Sequence, residues 1–179
     1  MTLHLPQKHG LLTAMPAPAG ESLNAGPANS HFLHAGQIYV STEGEAVIFI
    51  LGSCVAVCIW DSISRIGGAT HYLLPSWDGR GTSSARYGNV AIAALLQKLV
   101  DAGARREQLR AKVFGGGYLF DILREGHRNH DHLGRRNVEI AQDLLTKERI
   151  PIVSSDVGGD RGKRITFQTH NGEAIVKEL

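Results

Sequence analysis

Two side chains in this sequence could do covalent chemistry together. Cys54 follows a Gly-Ser pair in Leu51-Gly52-Ser53-Cys54-Val55-Ala56-Val57, and His71 closes Gly67-Gly68-Ala69-Thr70-His71, seventeen residues later. A thiol brought beside an imidazole is the minimal form of a cysteine nucleophile with its general base. The second cysteine, Cys58, is four residues from Cys54. On one strand that spacing is about 13 Å, at about 3.3 Å per residue, too far for a disulfide, which needs Cα atoms within about 7 Å. Two such cysteines without further ligands also make a poor zinc site. Cys58 reads as a small buried hydrophobe.

The elements that must position the pair follow from the apolar pattern. Val55 to Trp60 is a continuous apolar run, the mark of a strand buried on both faces. Asp61 to Arg65 is polar, and Gly67 to Leu74 returns as a strand ended by Pro75. With the turn centred near Ile63, Cys54 and His71 fall on nearly opposite rows of an antiparallel hairpin. Directly opposed Cβ atoms are about 4.5–5.5 Å apart and diagonal ones somewhat more. Contact is reachable if the register puts both on one face, and a slip of one residue separates them.

Around that hairpin, Gln37–Ser41 and Ala46–Leu51 read as strands joined by Glu43-Gly44-Glu45. Trp77 to Arg86, containing Asp78-Gly79-Arg80-Gly81, reads as a solvated loop. Val90, Ala93, Ala94, Leu96 and Val100 recur at helical spacing and Gly103 ends the helix. Leu109–Phe114 is a strand running into Gly115-Gly116-Gly117, where positive φ or close backbone approach is expected. No Gly-Lys-Ser/Thr follows, so this is not a phosphate loop. Gly134–Arg149 is a second helix with Val138, Ala141, Leu144 and Leu145 on one face. Pro151–Val157 is a strand, and Arg164–His170 pairs with Glu173–Lys177 across Asn171-Gly172, a strong hairpin signal. About eight strands in adjacent pairs with two helices predict an α+β fold with a largely antiparallel or mixed sheet system.

Bulk properties narrow the function. The chain has 179 residues, 42% hydrophobic and 20% charged, with 19 basic against 17 acidic residues and a net charge of +2. That balance gives no reason to expect nucleic acid as a partner. No apolar run approaches a membrane span, the first twenty residues lack a signal-type apolar core, and a cytoplasmic protein is expected. Residues 1–34, rich in Pro, Gly, Ala, Asn and His, read as a disordered or loosely ordered arm, and 35–179 as a single domain. His127, His130, His132 and Asp131 could be read as a metal cluster; the plainer reading is an exposed loop, and no metal site is expected.

The motifs together carry a resemblance. Leu51-Gly52-Ser53-Cys54-Val55-Ala56-Val57, Gly68-Ala69-Thr70-His71-Tyr72-Leu73-Leu74-Pro75, Phe114-Gly115-Gly116-Gly117, Gly134-Arg135-Arg136-Asn137-Val138-Glu139 and Asp156-Val157-Gly158-Gly159-Asp160-Arg161-Gly162 occur in the order and at the spacing of the CheD family. From about residue 35 onward the chain resembles these chemotaxis proteins, which deamidate glutamine side chains of methyl-accepting chemotaxis receptors. The resemblance implies a β-sandwich-like core flanked by two main helices, similar to cysteine-dependent bacterial toxin deamidases. It implies Cys54 as nucleophile and His71 as general base, with no metal or organic cofactor. Backbone N–H groups of Cys54 and of Gly52-Ser53 would stabilise the oxyanion. It also implies receptor cytoplasmic helices as partners and a CheC-type phosphatase as a further one. The sequence departs from the family at Ile48, six residues before Cys54, where members often carry a threonine counted as the third site residue. Thr42 is too far back to replace it, and Thr70 would point to the face opposite His71. Two other readings stand beside the deamidase: a non-catalytic adaptor for receptors or CheC, and a different cysteine hydrolase.

Overall fold

The computed structural model describes residues 29–118 and 132–179. Among them the chain forms β1 (Ser30–Phe32), β2 (Gln37–Ser41), β3 (Ala46–Leu51), β4 (Val55–Asp61), β5 (Ile66–Tyr72), α1 (Gly88–Asp101), β6 (Leu109–Gly115), α2 (Leu133–Lys147), β7 (Ile152–Val157), β8 (Lys163–Gln168) and β9 (Ala174–Glu178). The architecture is α+β with two mixed sheets. One sheet has the order β1-β3-β8-β9 and the other β2-β5-β4-β6-β7. β1 runs parallel to β3 and β6 parallel to β7, and the other neighbours are antiparallel.

Why β4 reads as unbroken apolar sequence is now clear. Each of its seven residues is buried because both of its faces are covered. Val55, Val57 and Ile59 face the helices, packing with Leu95, Leu99 and Leu145. Ala56, Cys58 and Trp60 face the other sheet and pack with Phe49, Ile165 and Phe167. Three layers result: sheet, sheet, helices. Cys58 is fully buried in the inter-sheet core, and burial pushes its thiol far above the ordinary range.

Several expectations need correction. Ser30–Phe32 lies within the segment assigned to the arm, yet it adds a parallel strand to β3, and Leu33 is buried behind it. Its three residues carry no alternation of their own, and long-range pairing supplies what the local pattern lacks. Residues 1–28 lie outside the described residues. In α1 the buried stripe is Ala91, Ile92, Leu95, Leu96 and Leu99. The expected stripe shares its spacing and Leu96, but Val100 is 40% exposed. The observed stripe carries Ile92, Leu95 and Leu99, whose burial removes more apolar surface from water than that of Ala93, Ala94 and Val100 would. The helix ends as expected, with Gly103 at φ +101°. The last hairpin also forms, but its loop is wider than Asn171-Gly172. Phe167 pairs with Ala174, and the Gln168 N–H donates to the Glu173 carbonyl at 2.8 Å.

Candidate active site

Cys54 ends the loop that carries the chain from β3 in one sheet to β4 in the other. The β4–β5 ladder pairs Val55 with Tyr72 and Ala56 with His71. Continuing it by one residue sets Cys54 opposite Leu73, diagonal to His71. His71, opposite Ala56, lies on the face of Ala56 and Cys58, which looks toward the other sheet, and the continued alternation puts Cys54 on that face too. Thr70 falls on the opposite face, and its hydroxyl donates to the Gln37 carbonyl at 3.2 Å.

Three consecutive carbonyls of the Cys54 loop are held from the β6–α2 side. The Gly117 N–H donates to the Gly52 carbonyl and the Gly116 N–H to the Cys54 carbonyl, both at 2.8 Å. The Asn137 side-chain amide donates to the Ser53 carbonyl at 3.0 Å. Glycine is required here by contact: a Cβ on Gly115 would stand 2.2 Å from the Cys54 carbonyl oxygen. Among the described residues, neither the Ser53 nor the Cys54 N–H donates to an oxygen.

His71 is 5% exposed. Its ring meets Phe49 edge-on at 6.3 Å, and its Nδ1 lies 3.1 Å from the Leu33 carbonyl oxygen. A carbonyl only accepts, so this bond puts the ring proton on Nδ1 and leaves a bare lone pair on Nε2. Nε2 is buried and, among the described residues, has no hydrogen-bond partner, Cys54 included. Burial lowers the affinity of His71 for a second proton. The Leu33 carbonyl works against that shift, and nearby His34 adds to it. Burial pushes the half-buried Cys54 thiol up, opposed by its own backbone N–H. Both groups therefore favour their neutral forms.

Ile48 does not face this site. Phe49 packs into the inter-sheet core, so its neighbour Ile48 points to the other side of β3, where it pairs with Thr166 and Phe32. A hydroxyl on residue 48 would be directed away from His71. The backbone of Ile48 does take part: its carbonyl accepts the Leu33 N–H at 2.9 Å, fixing the residue that holds the imidazole. Sequence reasoning missed Leu33, because a backbone acceptor has no residue-type signature. It also missed the use of Asn137, although a polar residue inside the apolar stripe of α2 is a readable signal.

Of the histidine-rich segment, read as an exposed loop rather than a metal cluster, His127, His130 and Asp131 lie outside the described residues. His132 caps α2, its Nδ1 accepting the Arg135 N–H at 3.1 Å. Among the described residues no group of three or more His, Cys, Asp or Glu could hold a metal ion, and no helix is long and apolar enough to cross a membrane.

Comparison with known proteins gives a consistent answer. The family model described as CheD chemotactic sensory transduction matches residues 73–178, starting just beyond His71. The chain is 47% identical over 166 residues to "Probable chemoreceptor glutamine deamidase CheD 1" of Anaeromyxobacter dehalogenans, covering 93% of this chain and 94% of that protein. It is 38% identical to proteins named "Probable chemoreceptor glutamine deamidase CheD" from Sulfurimonas denitrificans and Trichlorobacter lovleyi. Those matches cover 82% and 84% of this chain and 92% and 91% of the two relatives.

Proposed function

The chain belongs to the CheD family, and on that premise we propose that it deamidates glutamine side chains of chemoreceptors, with Cys54 as nucleophile and His71 as base. The observation that supports the residue roles is the register of β4 and β5, which, continued by one residue to Cys54, puts it on the face of His71, while Nε2 has no partner among the described residues. In the first step Nε2 takes the thiol proton as Sγ attacks the side-chain carbonyl carbon. A tetrahedral oxyanion forms, with the N–H groups of Ser53 and Cys54, neither of which donates to a described oxygen, as its donors. As the C–N bond breaks, the imidazolium returns the proton to the departing nitrogen and ammonia leaves. The product is a thioester on Cys54. Water, deprotonated by Nε2, attacks that thioester; the C–S bond breaks, glutamate is released and the thiolate recovers its proton.

Leu33 offers through its carbonyl an acceptor for His71 Nδ1–H, and on this reading it takes the orienting role that the resemblance gave to position 48. The product adds a carboxylate to a receptor helix and so changes local helix–helix electrostatics. Cytoplasmic receptor helices are the partner this reading requires, which places the protein in the cytoplasm. A CheC-type phosphatase is a second partner on the resemblance alone. Kinship with toxin deamidases is part of the same reading, supported by the layered sheets with helices on one side. The test is ammonia release from purified receptor cytoplasmic fragment, with mass spectrometry of the fragment. Amide-to-acid conversion without chain cleavage, lost in Cys54→Ala, is the expected result. Undiminished release by that variant would overturn the assignment of Cys54.

A further inference from the structure

Asn137 sits fully buried in the first half of α2, an unusual place for an uncharged amide with no apolar counterpart. Both of its N–H donors are committed. One goes to the Ser53 carbonyl at 3.0 Å and the other to the Leu73 carbonyl at 2.9 Å. Ser53 immediately precedes Cys54, and Leu73 is the residue opposite Cys54 when the β4–β5 ladder is continued. The Asn137 backbone is fixed in turn: its carbonyl accepts the Tyr72 hydroxyl at 2.5 Å. One side chain thus spans the two chain segments that bear Cys54 and His71. Every described peptide bond is trans, so the Cys54 N–H points opposite to the Ser53 carbonyl. Holding that carbonyl toward α2 turns the N–H to the other side, where no described oxygen takes it.

We propose that Asn137 is a positioning residue: by holding the Ser53 and Leu73 carbonyls, it aims the Cys54 N–H at the oxyanion formed when the thiol adds to an amide. This inference rests on the deamidase reading and adds a residue that acts through the backbone of Cys54. Asparagine is suited to the task because it offers two donors from one planar group. An aspartate of the same shape, ionised, offers none.

The test compares the full chain with Asn137→Ala and the isosteric Asn137→Asp. Three quantities are measured: kcat for ammonia release from a receptor cytoplasmic fragment, the rate of Cys54 alkylation by iodoacetamide, and the Kd for a peptide bearing an aldehyde in place of the glutamine carboxamide. Alkylation uses the thiolate and needs no oxyanion donor, whereas aldehyde capture forms a tetrahedral adduct that does. The expected result is a fall in kcat of about a hundredfold, the loss typical of one oxyanion donor. Aldehyde affinity weakens by about tenfold or more, while alkylation stays within about threefold of the parent. Alkylation slowing in step with deamidation in both variants would show a merely structural role and overturn the proposal, as would an unchanged kcat. Failure of the parent reading looks different: Cys54→Ala still releases ammonia, or the unaltered chain releases none. In either case aldehyde capture against alkylation still decides the role of Asn137.

Discussion

Burial acts on the two candidate catalytic groups in opposite senses. It raises the thiol of Cys54 and lowers the imidazole of His71, so both favour the uncharged state. A resting neutral pair differs from the thiolate–imidazolium pair of a preactivated cysteine, and pH separates the two. Imidazole must be unprotonated to act as base. The acid limb of kcat/KM, a property of the free protein, should therefore lie below the ordinary histidine value of about 6.5. The rate of Cys54 alkylation should keep rising with pH to beyond the ordinary thiol value of about 8.5. Near-maximal alkylation already at about pH 5–6 would mean a preformed thiolate and would rule out the neutral pair. Cys58, buried in the inter-sheet core with its thiol raised far out of range, should not contribute to that profile. That Cys54 and His71 come to neighbouring strands was legible from residue type and spacing. Their protonation states were not, because they depend on how much protein lies over each group.

The element that completes the site is β1. Its three residues bring Leu33 under β5, where the carbonyl accepts a hydrogen bond from His71 Nδ1–H. Replacing the Leu33–His34 amide by an ester weakens that carbonyl as an acceptor and leaves every side chain in place. The carbonyl holds the His71 pKa up, so weakening it should move the acid limb to still lower pH. It should also lower kcat by at least about tenfold as the ring loses its tautomer and aim. The ester removes the His34 N–H bond to the Gln37 side chain as well, so Gln37→Ala serves as the control and should show neither change. An unmoved acid limb with full kcat in the ester would remove Leu33 from the site. Most other elements were readable beforehand, because Val55–Trp60, the two helices and the last hairpin each carry their own period or turn chemistry. β1 was not, since Ser30–Phe32 gains its structure only from Val47 and its neighbours across the sheet. The face of α1 was misread for a related reason: two stripes share one period, and only the sheet beneath selects between them.

At the scale of the molecule, the candidate site lies where the three layers meet. Leu33 comes from one sheet, His71 from the other, Cys54 from the loop that joins them, and Asn137 from the helical layer. Helix α2 can reach the Cys54 loop because its first turn lies directly against the Gly-rich end of β6. A Cβ on Gly134 would stand 2.4 Å from the Gly116 carbonyl oxygen and 2.6 Å from that of Gly117. Backbone carbonyls cannot rotate aside as a long side chain would, so Gly134→Ala must push α2 away from the strand end. Alanine in place of glycine favours the helix locally by up to about 1 kcal/mol, whereas overpacking against fixed backbone costs about 1–3 kcal/mol. The clash should win, and the melting temperature should fall. The displacement also carries Asn137, one turn further along, off the Ser53 carbonyl, so ammonia release should fall by more than the loss of folded protein accounts for. Thermal denaturation and kcat per folded molecule, measured on the same sample, separate the two effects. If Gly134→Ala melts as the parent does and keeps its kcat, α2 is not locked against the Cys54 loop in the way its glycine contact requires.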